Sequence, residues 1–312
     1  MTKIAALMLN PSVDIMLEFD EFIKTKTNRV RNRIESMGGK GLNVSKVLRS
    51  FGLSVCAIGF IGKDKEAELG RILKESDIEN AFVTVEGKTR ENFKLLDKSE
   101  GSVTEVNGQS FFVSREKQAE IESVIEKKLD EIEILVLTGS LPDGVDKDFY
   151  AKCIEKANEK GVKTVLDASG EALKLALCKK PYAIKPNIDE LSELAERPLD
   201  EEKTKEMIEK LLSDGIRMVT VSLGEKGAIF AKDGKVLRAK TFDIDFKSAV
   251  GAGDSMVATI CHSIVNDESL EKTARLAVSA GCITTSKTAT NLCTADEVFA
   301  NEKRVETLEM MI

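Results

Sequence analysis

The sequence predicts an α/β fold: a mostly parallel sheet flanked by helices on both faces, with a small β-sheet lid. Three observations carry this expectation. Short apolar runs alternate with segments of helical period along most of the chain. The runs, of which Ile134-Leu135-Val136-Leu137 is the clearest, are continuously apolar, as in strands covered on both faces. Two further stretches, at about 13–36 and 91–106, are strand-like but polar and charged, which sets them outside the main sheet.

Taken in order, Lys3 to Leu9 is a short strand that stops at the turn signal Asn10-Pro11-Ser12. Val13 to Phe19 and Arg29 to Ser36 alternate only partly and read as exposed strands. Leu42 to Phe51 places Val44, Val47, Leu48 and Phe51 at helical spacing, and Ser54 to Phe60 returns as a strand. A helix over Lys65 to Glu75 leads to a strand over Ala81 to Val85. Glu91 to Val106, turning at Gly101, pairs with the earlier exposed strands to make the lid. Ile121, Val124, Ile125 and Leu129 mark a helix before the Ile134 to Leu137 strand. The alternation continues through Phe149 to Glu159, Lys163 to Leu166, Met207 to Leu212 and Arg217 to Val221, and Met256 to Val265 is a largely buried helix. No repeat, low-complexity tract or linker rich in Gly, Pro and Ser breaks the 312 residues, so one domain with an inserted lid is expected.

Composition excludes several function classes. At 42% hydrophobic and 32% charged residues, the chain has the balance of a soluble globular protein. A formal charge of −7 argues against nucleic acid or an anionic membrane as partner. No run approaches the roughly 18 to 20 apolar residues of a membrane span, and the N-terminal apolar run is too short for a secretory signal, so a cytoplasmic location is expected. The six cysteines lack paired metal-ligand spacing and fit scattered reduced thiols. His262, the single histidine, reads as a packed residue of the Met256 to Val265 helix.

The chemistry concentrates in Ser248-Ala249-Val250-Gly251-Ala252-Gly253-Asp254-Ser255. Gly251 and Gly253 let the backbone turn sharply so that its N–H groups converge on an anion, and the following helix adds the positive end of its dipole. Asp254 suits a phosphate poorly but suits the proton of an attacking hydroxyl well; an ordinary helix-start carboxylate after a tight turn is the competing reading. Other phosphate loops fail on spacing. Gly251-x-Gly253 lacks the third glycine of a dinucleotide fingerprint, and Gly139 with Gly144 has Walker spacing but Val145 in the lysine position.

Further candidates sit where strands end. Asp14 can accept sugar hydroxyls or simply shape a turn. Gly38-Gly39-Lys40-Gly41 with Asn43 allows a close approach of backbone to ligand. Arg90 and Arg29 can clamp a phosphate, or be solvated strand charges, and Lys24, Lys26, Arg31, Arg33 and Lys94 make the lid cationic on an acidic protein. Asn187 and Glu190 have capping-box spacing, and Glu190 can alternatively serve a hydrated Mg²⁺. Ser222-Leu223-Gly224-Glu225-Lys226-Gly227 is a glycine turn or the wall of an adenine-nucleotide pocket.

These elements, Asn10-Pro11 with Asp14, Asn28-Arg29-Val30, Gly38-Gly39-Lys40-Gly41-Leu42-Asn43-Val44, Thr89-Arg90-x-Asn92, Gly139-Ser140-Leu141-Pro142, Lys185-Pro186-Asn187-x-x-Glu190 and Gly251-Ala252-Gly253-Asp254, occur in the order found in PfkB-type carbohydrate kinases. The resemblance runs essentially end to end. It is nearest to the bacterial 1-phosphofructokinases, with tagatose-6-phosphate kinases and minor 6-phosphofructokinases as near relatives. It implies a ribokinase-like fold, ATP and Mg²⁺ as cofactors, a small sugar phosphate as substrate and homodimerisation through the lid strands. Carried over by position, it implies Asp254 as catalytic base with Gly251, Ala252 and Gly253 as anion hole, and Asp14, Arg29, Gly39, Lys40, Asn43, Arg90, Asn92 and Ser140 at the sugar phosphate. It further implies Lys185, Asn187, Ser222, Gly224, Gly227 and Ser248 at ATP, and Glu190 at Mg²⁺ through water. Ala249 departs from the family, which commonly has threonine there. The expected reaction is phosphorylation of a ketohexose monophosphate, fructose 1-phosphate foremost; a non-catalytic sugar-phosphate sensor is the alternative from another class.

Overall fold

In the computed structural model, which describes residues 4–288 and 291–310, the chain builds two separate sheets. It runs β1 (Ile4–Met8), β2 (Ser12–Phe19), β3 (Asn32–Gly38), α1 (Lys40–Ser50), β4 (Val55–Gly62), α2 (Glu66–Glu75), β5 (Glu79–Val85), β6 (Arg90–Asp97) and β7 (Ser102–Asn107). It continues with α3 (Arg115–Lys128), β8 (Ile134–Thr138), α4 (Phe149–Glu159), β9 (Lys163–Asp167), α5 (Gly170–Leu177), β10 (Ala183–Ile184), α6 (Ile188–Leu194), α7 (Glu201–Ser213) and β11 (Met218–Ser222). β12 (Ala228–Lys232), β13 (Lys235–Ala239), α8 (Ala252–Val265), α9 (Leu270–Thr285), α10 (Ala295–Asn301) and β14 (Thr307–Glu309) complete it.

The main sheet has the order β14-β13-β12-β11-β10-β9-β8-β1-β4-β5. From β5 to β11 neighbouring strands are parallel, and β12, β13 and β14 add an antiparallel edge. Both faces are covered, which is why these strands read as unbroken apolar runs. Ile4 and Ala6 of β1 belong to a core with Val44, Leu48, Val257 and Ala277, on α1, α8 and α9. Ala5 and Leu7 belong to the opposite core with Ile121, Phe149, Leu173 and Ile208, on α3, α4, α5 and α7.

The lid is the four-stranded sheet β3-β2-β6-β7, in which β2 and β6 are parallel and the outer pairs antiparallel. Val13, Ile15 and Met37 on one of its faces pack with Leu69 and Leu73 of α2. Register places Met16, Ile34, Leu96 and Val103 on the other face, and there Ile34 and Val103 remain exposed.

Several elements run longer than expected, α7 by six residues at its start, and two of the differing boundaries have a clear physical reason. The strand expected over Arg29 to Ser36 starts at Asn32, because Asn28 folds back to bond the backbone of Ile23 on both sides. Arg29 therefore lies in the connection and not on a strand. The helix expected from Met256 starts at Ala252, since a first turn needs no apolar residue to form.

Candidate active site

Strand order reverses around β1, which has β4 on one side and β8 on the other, and an open α/β sheet keeps its crevice at the carboxyl ends there. Asn10, just past β1, donates to Ser140 Oγ past β8 at 3.0 Å and accepts from Ser110 Oγ at 2.9 Å. This fastens the mouth of the crevice across the reversal.

Two helices point their N-termini into it. Gly251 caps α8 with φ 80°, a left-handed conformation that favours glycine. Gly253 and Asp254 thus lie in the first helical turn, and among the described residues nothing accepts their backbone N–H groups. α1 starts after Gly39, whose φ of 137° and approach to Met8 (a Cβ would lie 2.2 Å from its Sδ) leave no room for a side chain. Asn43 in the first turn of α1 donates from Nδ2 to Asp254 Oδ2 at 2.8 Å. Asp254 is buried, and burial pushes its carboxyl up to about 6; the Asp167 charge adds to the rise, while Lys40, the Asn43 hydrogen bond and Lys185 oppose it. A carboxylate so placed can take a proton near neutrality.

Below Asp254 lies a residue that the sequence reading did not single out. Asp167, the last residue of β9, is 2% exposed and holds two ammonium groups: Lys185 Nζ at 3.1 Å on Oδ1 and Lys40 Nζ at 3.0 Å on Oδ2. Thr138 Oγ1 donates to Oδ2 at 3.1 Å. Burial alone would raise the Asp167 carboxyl, but the charges and hydrogen bonds of Lys185 and Lys40 outweigh it and bring it down to about 2. A Cβ on Gly253 would lie 3.3 Å from Lys185 Nζ, so that glycine admits the ammonium beside the free end of α8. An acidic residue directly after a buried strand was the signal available in the sequence.

The sugar-side candidates line the lid. Asp14 of β2 sits in register beside Asn92 of β6, and its Oδ1 accepts from Asn92 Nδ2 at 3.2 Å and Ser12 Oγ at 2.8 Å. Arg90 bonds the carbonyls of Pro11 and Asn10 at 3.3 and 3.1 Å, tying β6 to the end of β1. Burial disfavours its charge, partly offset by Asp14. Arg29 is exposed, and among the described residues no hydrogen bond or ion pair joins it to Asp14, Asn92 or Arg90.

A family model, pfkB family carbohydrate kinase, matches residues 8–297. The chain belongs to this family. The kinase is also similar over almost its whole length to solved structures. Phosphofructokinase-2 from Escherichia coli is 28% identical, with 97% of this chain and 99% of that one covered at a TM-score of 0.89. One structure of that enzyme is a complex with fructose-6-phosphate, and another is a tetrameric inhibited form. A Thermotoga maritima protein described as a possible 1-phosphofructokinase shares the fold at 22% identity, with 99% and 100% covered and a TM-score of 0.90.

The remaining candidates of the kinase stand at the carboxyl ends of β10 and β11 and on the approach to α8. Asn187 and Glu190 form the capping box of α6: Asn187 Oδ1 accepts from Glu190 N at 2.7 Å and Glu190 Oε2 from Asn187 N at 2.8 Å. Ser222 pairs with Asn187, while Gly224 and Gly227 turn the chain between β11 and β12 with φ of 61° and 86°. Ser248 Oγ accepts from Val250 N at 3.2 Å. Among the described residues no cluster of three or more His, Cys, Asp or Glu could hold a metal, and no helix is long and apolar enough to cross a membrane. Magnesium needs no such cluster: it keeps several waters and takes one or two carboxylates besides phosphate oxygens. Glu190 Oε1, uncommitted to the cap, fits that mode.

Proposed function

We propose that this sugar kinase transfers the γ-phosphoryl group of ATP to a primary hydroxyl of a ketohexose monophosphate, and that fructose 1-phosphate, giving fructose 1,6-bisphosphate, is the substrate. The observation that carries the reaction type is the buried Asp254, held by Asn43 at a helix end with free N–H groups, beside the lysines that Asp167 clamps. Asp254 takes the proton of the attacking hydroxyl, and Asn43 keeps its carboxylate aimed. The N–H groups of the Gly251-Ala252-Gly253-Asp254 turn, with Lys40 and Lys185, hold charge as it develops on the transferred group; positioning and electrostatics dominate such transfers. Mg²⁺ at Glu190 would neutralise phosphate charge. Asn187, Ser222, Gly224, Gly227 and Ser248 surround the nucleotide, while Asp14, Asn92, Gly39, Ser140, Arg90 and Arg29 bind the sugar phosphate.

Fructose 6-phosphate is the second reading, favoured by the likeness to a phosphofructokinase solved with that ligand. Both lead to the same bisphosphate, because a fructofuranose carries a hydroxymethyl group at each end. ADP release with fructose 1-phosphate, fructose 6-phosphate, tagatose 6-phosphate and fructose separates these cases. The highest kcat/KM is expected with fructose 1-phosphate; saturable binding of a sugar phosphate without ADP release would instead make the protein a sensor.

The lid face that carries Asp14 and Asn92 continues outward through Met16, Ile34, Leu96 and Val103, and this outer part suits a second copy of the chain. Sedimentation is expected to give a dimer that Ile34→Asp together with Val103→Asp dissociates. A wild-type monomer at assay concentration would remove this assignment.

A further inference from the structure

Lys94 lies two residues along β6 from Asn92 and so projects from the lid face that carries Asp14 and Asn92. It is only 8% exposed. Its ammonium stands 3.5 Å from Asp14 Oδ2, beyond good hydrogen-bond length, and no hydrogen bond to it occurs among the described residues. A group with three donors has therefore been taken largely out of water with one loose partner, an arrangement that is costly unless something completes it.

Asp14 is incomplete on the same side. Its Oδ1 already accepts from Ser12 and Asn92, whereas among the described residues Oδ2 accepts no hydrogen bond and has Lys94 as its ion-pair partner. Gly38 leaves room for this carboxyl, since a Cβ there would come within 2.7 Å of Asp14 Cγ, and the two hydrogen bonds to Oδ1 set its orientation. Asn92 Oδ1 beside it is buried without a donor, and its amide cannot be turned over, because Nδ2 must face Asp14 Oδ1. The missing group must donate to Asp14 Oδ2 and accept from Lys94 Nζ at once. A hydroxyl does both; a phosphate dianion cannot donate, and an apolar group does neither.

We propose that Lys94 is a specificity-determining residue of the sugar subsite, donating to the ring hydroxyl that Asp14 accepts, so that the kinase selects ketohexose phosphates by the configuration of that hydroxyl. The inference rests on the sugar-phosphate reading given above. It distinguishes Lys94 from Arg90 and Arg29, whose proposed ligand is the phosphate.

The test uses Lys94→Met, which keeps the length of the stem without its charge. The quantities are kcat/KM for the best fructose phosphate, the inhibition constants of its epimers at carbon 3 and carbon 4, and KM for ATP. Loss of a hydrogen bond from a charged donor is expected to lower kcat/KM roughly 10- to 100-fold, chiefly through KM. The affinity of one epimer should change far less, so that discrimination at one ring carbon shrinks, while KM for ATP holds and Lys94→Arg restores part of the discrimination. Equal losses for all three sugars, unchanged kinetics, or a loss confined to phosphorylated sugars relative to fructose would each overturn the proposal. Should Lys94→Met not fold, Lys94→Gln carries the same comparison. A wild type inactive on every ketohexose phosphate would defeat the functional reading itself; an active wild type indifferent to Lys94 would defeat only this one.

Discussion

Asp254→Asn is expected to cut turnover by about 10²- to 10⁴-fold while nucleotide affinity holds or improves, because the amide keeps the size of the carboxyl but cannot accept a proton. The wild-type rate should rise with pH through about 6, as the buried Asp254 carboxyl ionises. Stability moves the opposite way. The folded value of about 6 lies above the reference of 3.8, so the contribution of Asp254 to stability is present below the lower value and lost as pH rises through the upper one. Asp254→Asn should therefore melt no lower than wild type at pH 8, which separates a chemical defect from an unfolded protein. Turnover above about a tenth of wild type, with chemistry rate-limiting, would place the base elsewhere.

The second large effect is expected at Asp167. Removing one partner of a buried ion pair typically costs roughly 3–5 kcal/mol, and the lower end applies here because the Lys40 side chain is 44% exposed and can turn to water. That corresponds to a fall in Tm of roughly 5–10 °C for Asp167→Asn. Turnover should drop by about tenfold or more as both ammonium groups lose alignment. The distinguishing readout is the pH profile. With the Asp167 charge gone, Lys40 and Lys185 act on Asp254 alone, so the rising limb should shift below about 6. A lowered Tm with an unmoved limb would reduce Asp167 to a structural support.

How much was legible follows from the physics of each element. Strands such as β8 declared themselves because burial on two faces forces an unbroken apolar run. The lid was visible through its charge. The long helix α9 went unread because small residues, Ala274, Ala277, Ser279, Ala280 and Gly281, are interspersed among its larger buried ones such as Leu270, Leu276 and Val278 and blur the period. Asp254, Asn43, Lys40 and Lys185 could each be named from local motifs, and the structure brings all four to one place. Asp167 had only its place at the end of a buried apolar strand to mark it, and its role could not be read locally because its contact with Lys40 spans 127 positions. Arg29 was assigned to a strand on charge and alternation, but nothing in a sequence window revealed that Asn28 would hold the preceding turn closed.

The lid exchanges chain with the rest of the domain four times, with β1 through residues 9–11, α1 at 39, β5 through 86–89 and α3 through 108–114. A flap hung on one connector can twist as well as swing; this sheet hangs from four set side by side along one edge, at Ser12, Gly38, Arg90 and Asn107, which favours motion as one plate about that edge. Arg90 stitches two neighbouring connectors together through the carbonyls of Asn10 and Pro11. Any tilt must then be shared by Gly39 at the head of α1, and so be felt by the helix that aims Asn43. Extra length inserted near Gly101 falls at the far end and leaves the attached edge untouched, while one residue added at position 39 would alter how that edge meets α1.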